Sequence, residues 1–321
     1  MTVPLLLHRG DAQHGVDRYA RDLAAAVARL DPTVELRMPG DVPAGSRVHL
    51  HFTDRLWGST PADAATVVEG IAAHARVTVT LHDVPQPSDG AGLDRRAAAY
   101  RRVVDAATAV VCSSEHERSL LRAHVGADVA AHVVPLPCEP PAPASPPAHP
   151  RREIGVLGYF YPGKGHSEAV EASAALPSPL PVVAIGRAAS GHEGELAELV
   201  AHAAASGVAV TSTGFLSDDA LRERARATAV PVVAHRHVSA SGSLTTWLAA
   251  GRRPIVVRGP YFAEMDALRP GTMTLVDEDG LAAAIERAVA DPASTWLDAG
   301  VDVRPTLDDV ARAHLALWEH P

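Results

Sequence analysis

Short apolar runs alternate with longer amphipathic segments along residues 1–138. Apolar side chains recur at helical spacing over residues 15–30, which predicts a helix. Residues 47–52 predict a strand, and the β-branched run over 76–81 predicts another. Ser114 precedes Glu117 by three residues, a capping-box pattern that predicts the start of a helix. Strands that alternate with helices predict a parallel sheet with helices on both faces.

The same alternation returns over residues 153–321, so the sequence predicts two domains of similar construction. Residues 139–152 lie between them and are rich in proline, which can neither pair within a sheet nor continue a helix. We predict two doubly wound, Rossmann-like α/β domains, 1–138 and 153–321, joined by an extended linker and facing each other across a cleft. The predicted strands cover residues 3–8, 47–52, 76–81, 109–112, 133–136, 153–158, 181–185, 209–211, 229–233, 254–257 and 274–276. The predicted helices cover residues 15–30, 60–73, 93–107, 167–175, 193–205, 218–228, 243–250, 280–290 and 306–318, and the last of them closes the second domain.

The composition narrows the classes of function. A net charge of −9 and the lack of any basic run longer than two residues argue against nucleic-acid and membrane-surface binding. Two cysteines, Cys112 and Cys138, are too few for a disulfide framework or a zinc site. The sequence shows no signal peptide and no apolar stretch of ~20 residues, so we expect a cytoplasmic protein. The basic residues are 28 arginines and one lysine, Lys164, a bias that suggests a GC-rich, actinobacterial genome.

A glycine-rich turn, GYFYPGKG at residues 158–165, follows a predicted strand and opens a predicted helix. Glycines at such a junction let a phosphate approach backbone N–H groups, and a helix N-terminus favours anions. Lys164 adds a charge suited to phosphate oxygens. A tight turn with a solvated lysine is the alternative, since the pattern is not a P-loop.

Small residues also occupy the start of the predicted helix 243–250. Ser239, Ser241, Gly242 and Ser243 would leave the N–H groups of its first turn accessible to a diphosphate. An ordinary serine-capped helix is the alternative. With two anion-ready helix starts in one domain, a phosphate site is as well supported as ordinary helix capping.

The first domain carries further candidates at strand ends and loop–helix junctions. Gly15 would permit close approach of a ligand to the backbone, or is a flexible turn. His82 and Asp83 end one predicted strand, where an imidazole could exchange a proton and a carboxylate could orient it or bind a sugar hydroxyl. Asp54 ends the neighbouring strand. The chain has 17 histidines, so the position of His82 supports this assignment more than its residue type.

Several common sites have no counterpart in the sequence. No helical His-Glu-x-x-His, no nucleophile elbow and no Gly-x-Gly-x-x-Gly fingerprint appears. Zinc hydrolysis, serine hydrolysis and simple dinucleotide binding therefore lack support.

Taken in order, the segments resemble the family-4 retaining glycosyltransferases, whose fold is called GT-B. The resemblance covers nearly the whole chain and rests on HGVDRYARDLAAAV, VTLHD, AVVCSSEHERSLL, GVLGYFYPGKGHSEAVEA, TGFLSDDALRERARATAVPVV and ARAHLALWEH. It implies retaining transfer from a nucleotide sugar, which is a co-substrate, with no metal and no tightly bound cofactor.

The resemblance also implies a role for each candidate on the donor side. Lys164 would neutralise the donor diphosphate, and amides at Ser241, Gly242 and Ser243 would hold it. Gly15 would approach the diphosphate from the other domain. Gly214 and Phe215 would border the nucleobase.

In the first domain the resemblance implies the catalytic region. His82 and Asp83 would lie beside the transferred sugar, and Asp54 would lie on the acceptor side.

Two departures from the family pattern affect three positions. Tyr159 stands where many members have arginine, so one phosphate charge is missing. Val238 and Thr246 stand where many members have two glutamates, the second of which holds the donor ribose. Thr246 is therefore assigned to the donor site, and the identity of the donor is open.

These observations predict a hexosyltransferase of polysaccharide biosynthesis, with GDP-mannose as the first donor to test and an oligosaccharide, a glycolipid or a small metabolite as acceptor. A GT-B sugar-nucleotide epimerase and a non-catalytic sugar-nucleotide-binding partner are the other hypotheses. Product analysis separates the first two, and donor binding without turnover would favour the third. We expect no nucleic-acid partner and no integral membrane segment, and leave homo-oligomerisation open.

Overall fold

The chain divides into two units, which we describe separately. Unit 1 contains Met1–Pro137 and Pro305–Pro321, and unit 2 contains Cys138–Arg304. The structure, a computed structural model, describes residues 3–11, 14–141, 147 and 149–319. Residues 142–146 and 148 of the predicted linker lie outside the described residues.

The helices and strands are β1 (Leu5–Leu7), α1 (Gly15–Leu30), β2 (Leu36–Arg37), β3 (Arg47–Phe52), α2 (Asp54–Trp57), α3 (Pro61–Ala72), β4 (Arg76–Leu81), α4 (Leu93–Ala106), β5 (Ala109–Cys112), α5 (Glu115–Leu120), β6 (Ala131–Val133), β7 (Arg151–Leu157), α6 (His166–Ala174), β8 (Val182–Ile185), α7 (Glu193–Ala205), β9 (Val210–Ser212), α8 (Asp218–Ala227), β10 (Thr228–Val233), α9 (Gly242–Ala249), β11 (Ile255–Val257), α10 (Pro260–Leu268), β12 (Thr274–Val276), α11 (Leu281–Ala290) and α12 (Leu307–Glu319).

Each unit is built on one parallel six-stranded sheet, which confirms the predicted fold class. The strand order is β2-β1-β3-β4-β5-β6 in unit 1 and β12-β11-β10-β7-β8-β9 in unit 2. Strands β3, β4 and β5 and helices α1 and α7 have the predicted bounds. The Ser114 hydroxyl accepts a hydrogen bond from the Glu117 amide at 3.0 Å, so the predicted helix cap is also confirmed.

Strand β3 places two histidine side chains in the interior of unit 1. It pairs in register with β4 over six residues and is buried almost throughout. Because side chains alternate between the two faces of a strand, His49 and His51 share one face while Leu50 and Phe52 occupy the other. Two polar imidazoles are thereby carried into the interior, where they require hydrogen-bond partners.

Helix α12 differs from its predicted placement. The sequence assigned it to the second domain, but it belongs to unit 1 and packs along α1. Trp318 and His314 are buried against His49, and Asp308 pairs with Arg29 of α1. Its amphipathic pattern predicted a helix, but such a pattern does not identify the surface that covers the apolar face.

The domain boundary also differs slightly from the prediction. Unit 2 begins at Cys138, the last residue assigned to the first domain. Strand β7 begins at Arg151, so residues 151–152 of the predicted linker are part of the sheet. Helix α10 was not predicted. Its apolar residues Tyr261, Phe262 and Met265 are buried in the unit 2 core.

Candidate functional site

The sheet of unit 2 has a topological switch point between β7 and β10. Strand β7 is the first strand of the unit, and the chain proceeds through β8 and β9 on one side and through β10, β11 and β12 on the other. Ligands of doubly wound sheets bind beyond the carboxyl ends of the strands at such a point. The two predicted phosphate segments follow β7 and β10.

Two glycines let the loop after β7 adopt its path. Gly158 has a φ of +111° and Gly165 a φ of +101°, a region that other residues rarely adopt. A Cβ on Gly165 would lie 2.8 Å from the backbone of Ala234, and one on Gly158 would lie 3.2 Å from Cε of Lys164. The glycine-rich turn therefore packs tightly against the end of β10 and leaves room for the lysine.

Lys164 is the centre of this site. Its side chain is 8% exposed, and Nζ donates a hydrogen bond to the Ser243 hydroxyl at 3.3 Å. Nζ also lies 5.6 Å from the centre of the Tyr161 ring, a cation–π distance. The structure thus joins two segments that the sequence singled out separately, 79 residues apart in the chain.

The start of helix α9 supplies hydroxyl and amide groups beside the lysine. The Ser241 hydroxyl caps the helix by accepting from the Leu244 amide at 3.3 Å, and it lies 3.1 Å from the Ser243 hydroxyl. Gly242 is exposed, and a Cβ added there would meet no atom within 4 Å. The Thr246 hydroxyl donates to the Gly242 carbonyl at 2.8 Å. The Gly242 and Ser243 amides, which precede the first backbone hydrogen bonds of the helix, suit an anion.

Two buried histidines flank the lysine and carry no charge at neutral pH. Burial, together with the neighbouring Lys164 charge, lowers the pKa of His235 well below its ordinary value and that of His166 to about 3. The Nε2 atom of His235 lies 3.4 Å from the Ser243 hydroxyl, and its Nδ1 is buried with no partner in the described chain. The site therefore consists of the buried Lys164 ammonium, neutral hydroxyl groups and two neutral imidazoles.

The predicted nucleobase residues lie at the same edge of the sheet. Gly214 follows β9 with a φ of +69°, and its amide donates to the Ser212 hydroxyl at 3.1 Å. That hydroxyl donates to the Gly186 carbonyl at 2.7 Å, which links this loop to the loop after β8. Phe215 is 63% exposed, more than any other large apolar side chain among the described residues, and its ring suits stacking on a planar ligand.

Arg187 is a cation at this edge that the sequence analysis missed. Its guanidinium stacks over the Tyr159 ring at 5.5 Å, and its carbonyl accepts from the Phe160 amide at 2.9 Å. Tyr159 is the residue at which the sequence resemblance implies an arginine, so a positive charge lies beside that position although it comes from the loop after β8. His235 was also missed, yet it follows strand β10 as His82 follows β4, and the same signal would have identified it.

In unit 1, His82 lies at the carboxyl end of β4 and is 7% exposed. Its Nε2 lies 3.1 Å from Nδ1 of His51, and its carbonyl accepts from the Tyr100 hydroxyl at 2.6 Å. Burial lowers the pKa of His82 to about 4, although the Asp83 carboxylate opposes this shift. The imidazole is therefore neutral at pH 7.

His82 belongs to a buried histidine cluster, which we define as His49, His51, His82 and His314. The ring centres of His49 lie 5.1 Å from His51 and 5.2 Å from His314, and those of His51 and His82 are 5.3 Å apart. Tyr19 of α1 packs edge-on against both His51 and His82. None of these neighbours was predicted, because they come from β3, α1 and α12.

The two aspartates of this edge have different surroundings. Asp83 has a φ of +47°, the only positive value for a non-glycine residue among the described positions, and its carboxylate accepts from Thr53 at 3.3 Å. Such strain is typical of functional sites. Asp54 is buried, and both of its carboxylate oxygens accept from Arg96, at 3.0 and 3.1 Å. The Asp54 carboxylate is therefore part of a buried ion pair.

Gly15 is the first residue of α1, and a Cβ on it would meet no atom within 4 Å. Residues 12–13 of its loop lie outside the described residues. The His14 side chain caps the helix by accepting from the Val16 amide at 3.2 Å. The open space at Gly15 is compatible with the predicted approach of a ligand.

Over the described ranges, no group of three or more His, Cys, Asp or Glu side chains is arranged to hold a metal ion. No helix within them is long and apolar enough to cross a membrane.

Comparison with known proteins identifies the architecture of the chain. No protein-family model and no curated protein matches the sequence. Among solved structures, Alr3699/HepE of Anabaena in complex with UDP and glucose is 14% identical, with both chains covered completely and a TM-score of 0.77. Sucrose-phosphate synthase of Thermosynechococcus elongatus is 19% identical, with 98% of this chain and 95% of that chain covered and a TM-score of 0.68. TarM of S. aureus, in complex with UDP and α-GlcNAc-glycerol, is 11% identical, with 93% of this chain and 56% of that chain covered and a TM-score of 0.57. At these identities the likeness establishes architecture alone, and this chain has the GT-B fold.

Proposed function

We propose that this protein is a retaining glycosyltransferase that moves a hexose from a nucleoside-diphosphate sugar to a carbohydrate or glycolipid acceptor. The observation that carries the proposal is the buried Lys164 ammonium beside the start of helix α9, at the switch point of the unit 2 sheet. A fixed cation and first-turn amides are suited to a diphosphate leaving group, whose developing charge they stabilise. The structural likeness to proteins solved with UDP and UDP-glucose supports the same ligand class.

The donor assay should include UDP-glucose beside GDP-mannose, since the former occupies HepE. Each donor is incubated with and without oligosaccharide acceptors, and the products are identified by NMR. A new glycosidic bond with the anomeric configuration of the donor supports the proposal. An epimerised donor without transfer, or donor binding without any product, would contradict it.

Replacing Lys164 with methionine should weaken the binding of a nucleoside diphosphate and leave nucleoside binding unchanged. Methionine keeps the aliphatic volume of this buried side chain while it removes the charge. A lost charge-assisted hydrogen bond costs about 1.5–3 kcal/mol, so the Kd of UDP or GDP should rise roughly 10- to 150-fold. Calorimetry with the diphosphate and the nucleoside on both proteins measures the difference.

The sequence offers a direct control for this experiment. Lys164 is the only lysine, so protein grown with ¹⁵N-lysine gives a single lysine amide resonance. Saturating diphosphate should shift that resonance, whereas the nucleoside alone should shift it much less. Equal losses of affinity for both ligands, or an unmoved resonance, would remove Lys164 from the site.

Replacing Gly242 with alanine tests the amides of helix α9. The added Cβ meets no protein atom, and alanine favours a helix over glycine by about 1 kcal/mol, so the fold should not be destabilised. If a diphosphate approaches these amides closely, Gly242→Ala should still lower its affinity by roughly tenfold, about 1.4 kcal/mol. Gly194→Ala is the matched control, because Gly194 also lies in the first turn of a helix with open space at its Cβ. Identical diphosphate affinities in the two variants would argue against the α9 site.

A further inference from the structure

Proton positions in the histidine cluster follow from partners that can only donate or only accept. The Trp318 indole N–H, which can only donate, lies 3.3 Å from Nδ1 of His49, and the Thr78 hydroxyl, which can donate or accept, lies 2.9 Å from the same atom, so the donor-only indole indicates that Nδ1 is bare. The proton of His49 is therefore on Nε2, 3.1 Å from the Thr80 hydroxyl. The backbone carbonyl of Val310 can only accept and lies 3.0 Å from Nδ1 of His314. Nδ1 of His314 therefore carries the proton, and its Nε2 is left to accept from Thr80 at 3.4 Å.

Among the described residues, neither ring of the His51–His82 pair has a further partner that can only donate or only accept. Burial therefore decides which of the two rings donates the hydrogen bond between them. Within the described ranges, the only hydrogen bond of the His51 ring is the one between its Nδ1 and Nε2 of His82, at 3.1 Å. Nε2 of His51 is buried, with no partner in the part of the chain that the structure describes. If His82 donated to His51, the proton of His51 would be on that buried Nε2, as an unpaired N–H. If His51 donates, its buried Nε2 is a bare acceptor. Orphaned buried donors are rarer in proteins than under-satisfied acceptors, which favours the second arrangement.

We infer that His51 is a positioning residue that fixes the tautomer of His82: Nδ1–H of His51 donates to Nε2 of His82, so that His82 presents Nδ1–H to a ligand. The tautomer of an imidazole is set by the hydrogen bond of its other nitrogen.

This tautomer limits what His82 can do chemically. A ring that presents N–H donates a hydrogen bond to an oxygen, such as a sugar hydroxyl or ring oxygen, and cannot take a proton from an attacking hydroxyl. His82 would therefore bind and orient the sugar rather than act as a general base. The sugar as ligand rests on the proposed function, whereas the tautomer does not.

The tautomer can be measured in the free wild-type protein. Long-range ¹H–¹⁵N spectra of ¹⁵N-histidine protein at pH 7.5 distinguish protonated from bare ring nitrogens, and His82→Ala identifies the His82 signals by their loss. We expect Nδ1 of His82 to be protonated and Nε2 to be bare, with His51 in the same form. A protonated Nε2 on His82 would overturn the inference without reference to any ligand.

Two substitutions of His51 test its role. In His51→Leu the Nε2 atom of His82 loses its donor, so the bare Nε2 signal of His82 should shift or broaden as the second tautomer becomes populated. In His51→Asn the side-chain amide can place an N–H where Nδ1 lies, so the wild-type pattern should return. His314→Leu, a buried control from the same cluster that has no hydrogen bond to His82, should leave the pattern unchanged. An unaltered His82 tautomer in folded His51→Leu would show that His51 does not set it.

Ligand binding separates this inference from the proposed function. His51→Leu should weaken the binding of a nucleotide sugar about tenfold relative to the nucleoside diphosphate, which lacks the sugar, a difference of about 1.4 kcal/mol. If the tautomer is as inferred but this ratio does not change, the tautomer stands and the proposed sugar ligand of His82 is wrong.

Discussion

Lowering the pH below 6.5 should destabilise unit 1 steeply, by about 5 kcal/mol per pH unit near pH 5. Burial lowers the pKa of all four members of the histidine cluster from an ordinary value of 6.5, to about 4 for His82 and His314 and well below 6.5 for His49 and His51. Near pH 5 the unfolded chain therefore binds roughly three to four more protons than the folded unit. The contribution of these neutral histidines to the free energy of unfolding is present above pH 6.5 and is lost as the pH falls from 6.5 to about 4. A loss of this size approaches the whole stability of a typical domain, 5–15 kcal/mol.

Urea unfolding at several pH values measures this dependence, and amide exchange followed by mass spectrometry assigns it to peptides of unit 1. Unit 2 has two comparably buried histidines among its described residues, His166 and His235, so its dependence should be about half as steep. His314→Leu should lower the slope for unit 1 by about 1.4 kcal/mol per pH unit. Replacement of His132, which is exposed on β6, should not change it. A flat response of unit 1 between pH 6.5 and 4.5 would refute the assignment of four neutral buried imidazoles.

Replacing His82 with alanine should lower the turnover of sugar transfer by about 10²-fold or more, the usual effect of removing a catalytic group. The affinity for a nucleoside diphosphate should be nearly unchanged, because the candidate phosphate site consists of unit 2 residues, Lys164 and Ser243. In a retaining transfer the enzyme has to position the sugar and stabilise positive charge at its anomeric carbon. A neutral imidazole can contribute to this through a hydrogen bond to the sugar.

Initial rates, diphosphate affinity and melting temperature should be measured on the same preparation of the variant. His82→Asn provides the matched comparison, since its amide can replace the Nδ1 donor, and we expect it to retain more activity than His82→Ala. Full activity in a folded His82→Ala protein would exclude the residue from the reaction. Equal losses in the Ala and Asn variants would indicate that the side-chain donor is not what matters.

The backbone carbonyl of His82 is a second group that could face the sugar. It already accepts a hydrogen bond from the Tyr100 hydroxyl at 2.6 Å, and Tyr100 is fully buried. A carbonyl with one strong donor retains one lone pair, so it can accept a second donor from a ligand. Side-chain substitutions leave this carbonyl in place, so residual activity in His82→Ala would measure its contribution.

Much of the architecture could be read from local patterns. The periodicity of apolar residues located β3, β4, β5, α1 and α7 with their observed bounds, because strand and helix periods depend only on which faces are buried. The alternation of these elements was sufficient to predict two parallel sheets. Glycines and small residues at strand–helix junctions also predicted the two candidate phosphate segments, since the conformations they allow are local properties.

The partners of those segments were decided by tertiary structure. The contact between Lys164 and Ser243 depends on the neighbouring positions of β7 and β10 in the sheet, and these strands are far apart in the chain. The assignment of α12 to unit 1 depends on which surface covers its apolar face, and the chemistry of His82 depends on His51 and Tyr100 from other elements. Burial lowers the pKa of His82, and the hydrogen bond to its second nitrogen sets its tautomer. Both are non-local quantities, because desolvation and hydrogen bonding act through space between residues that the sequence alone does not bring together.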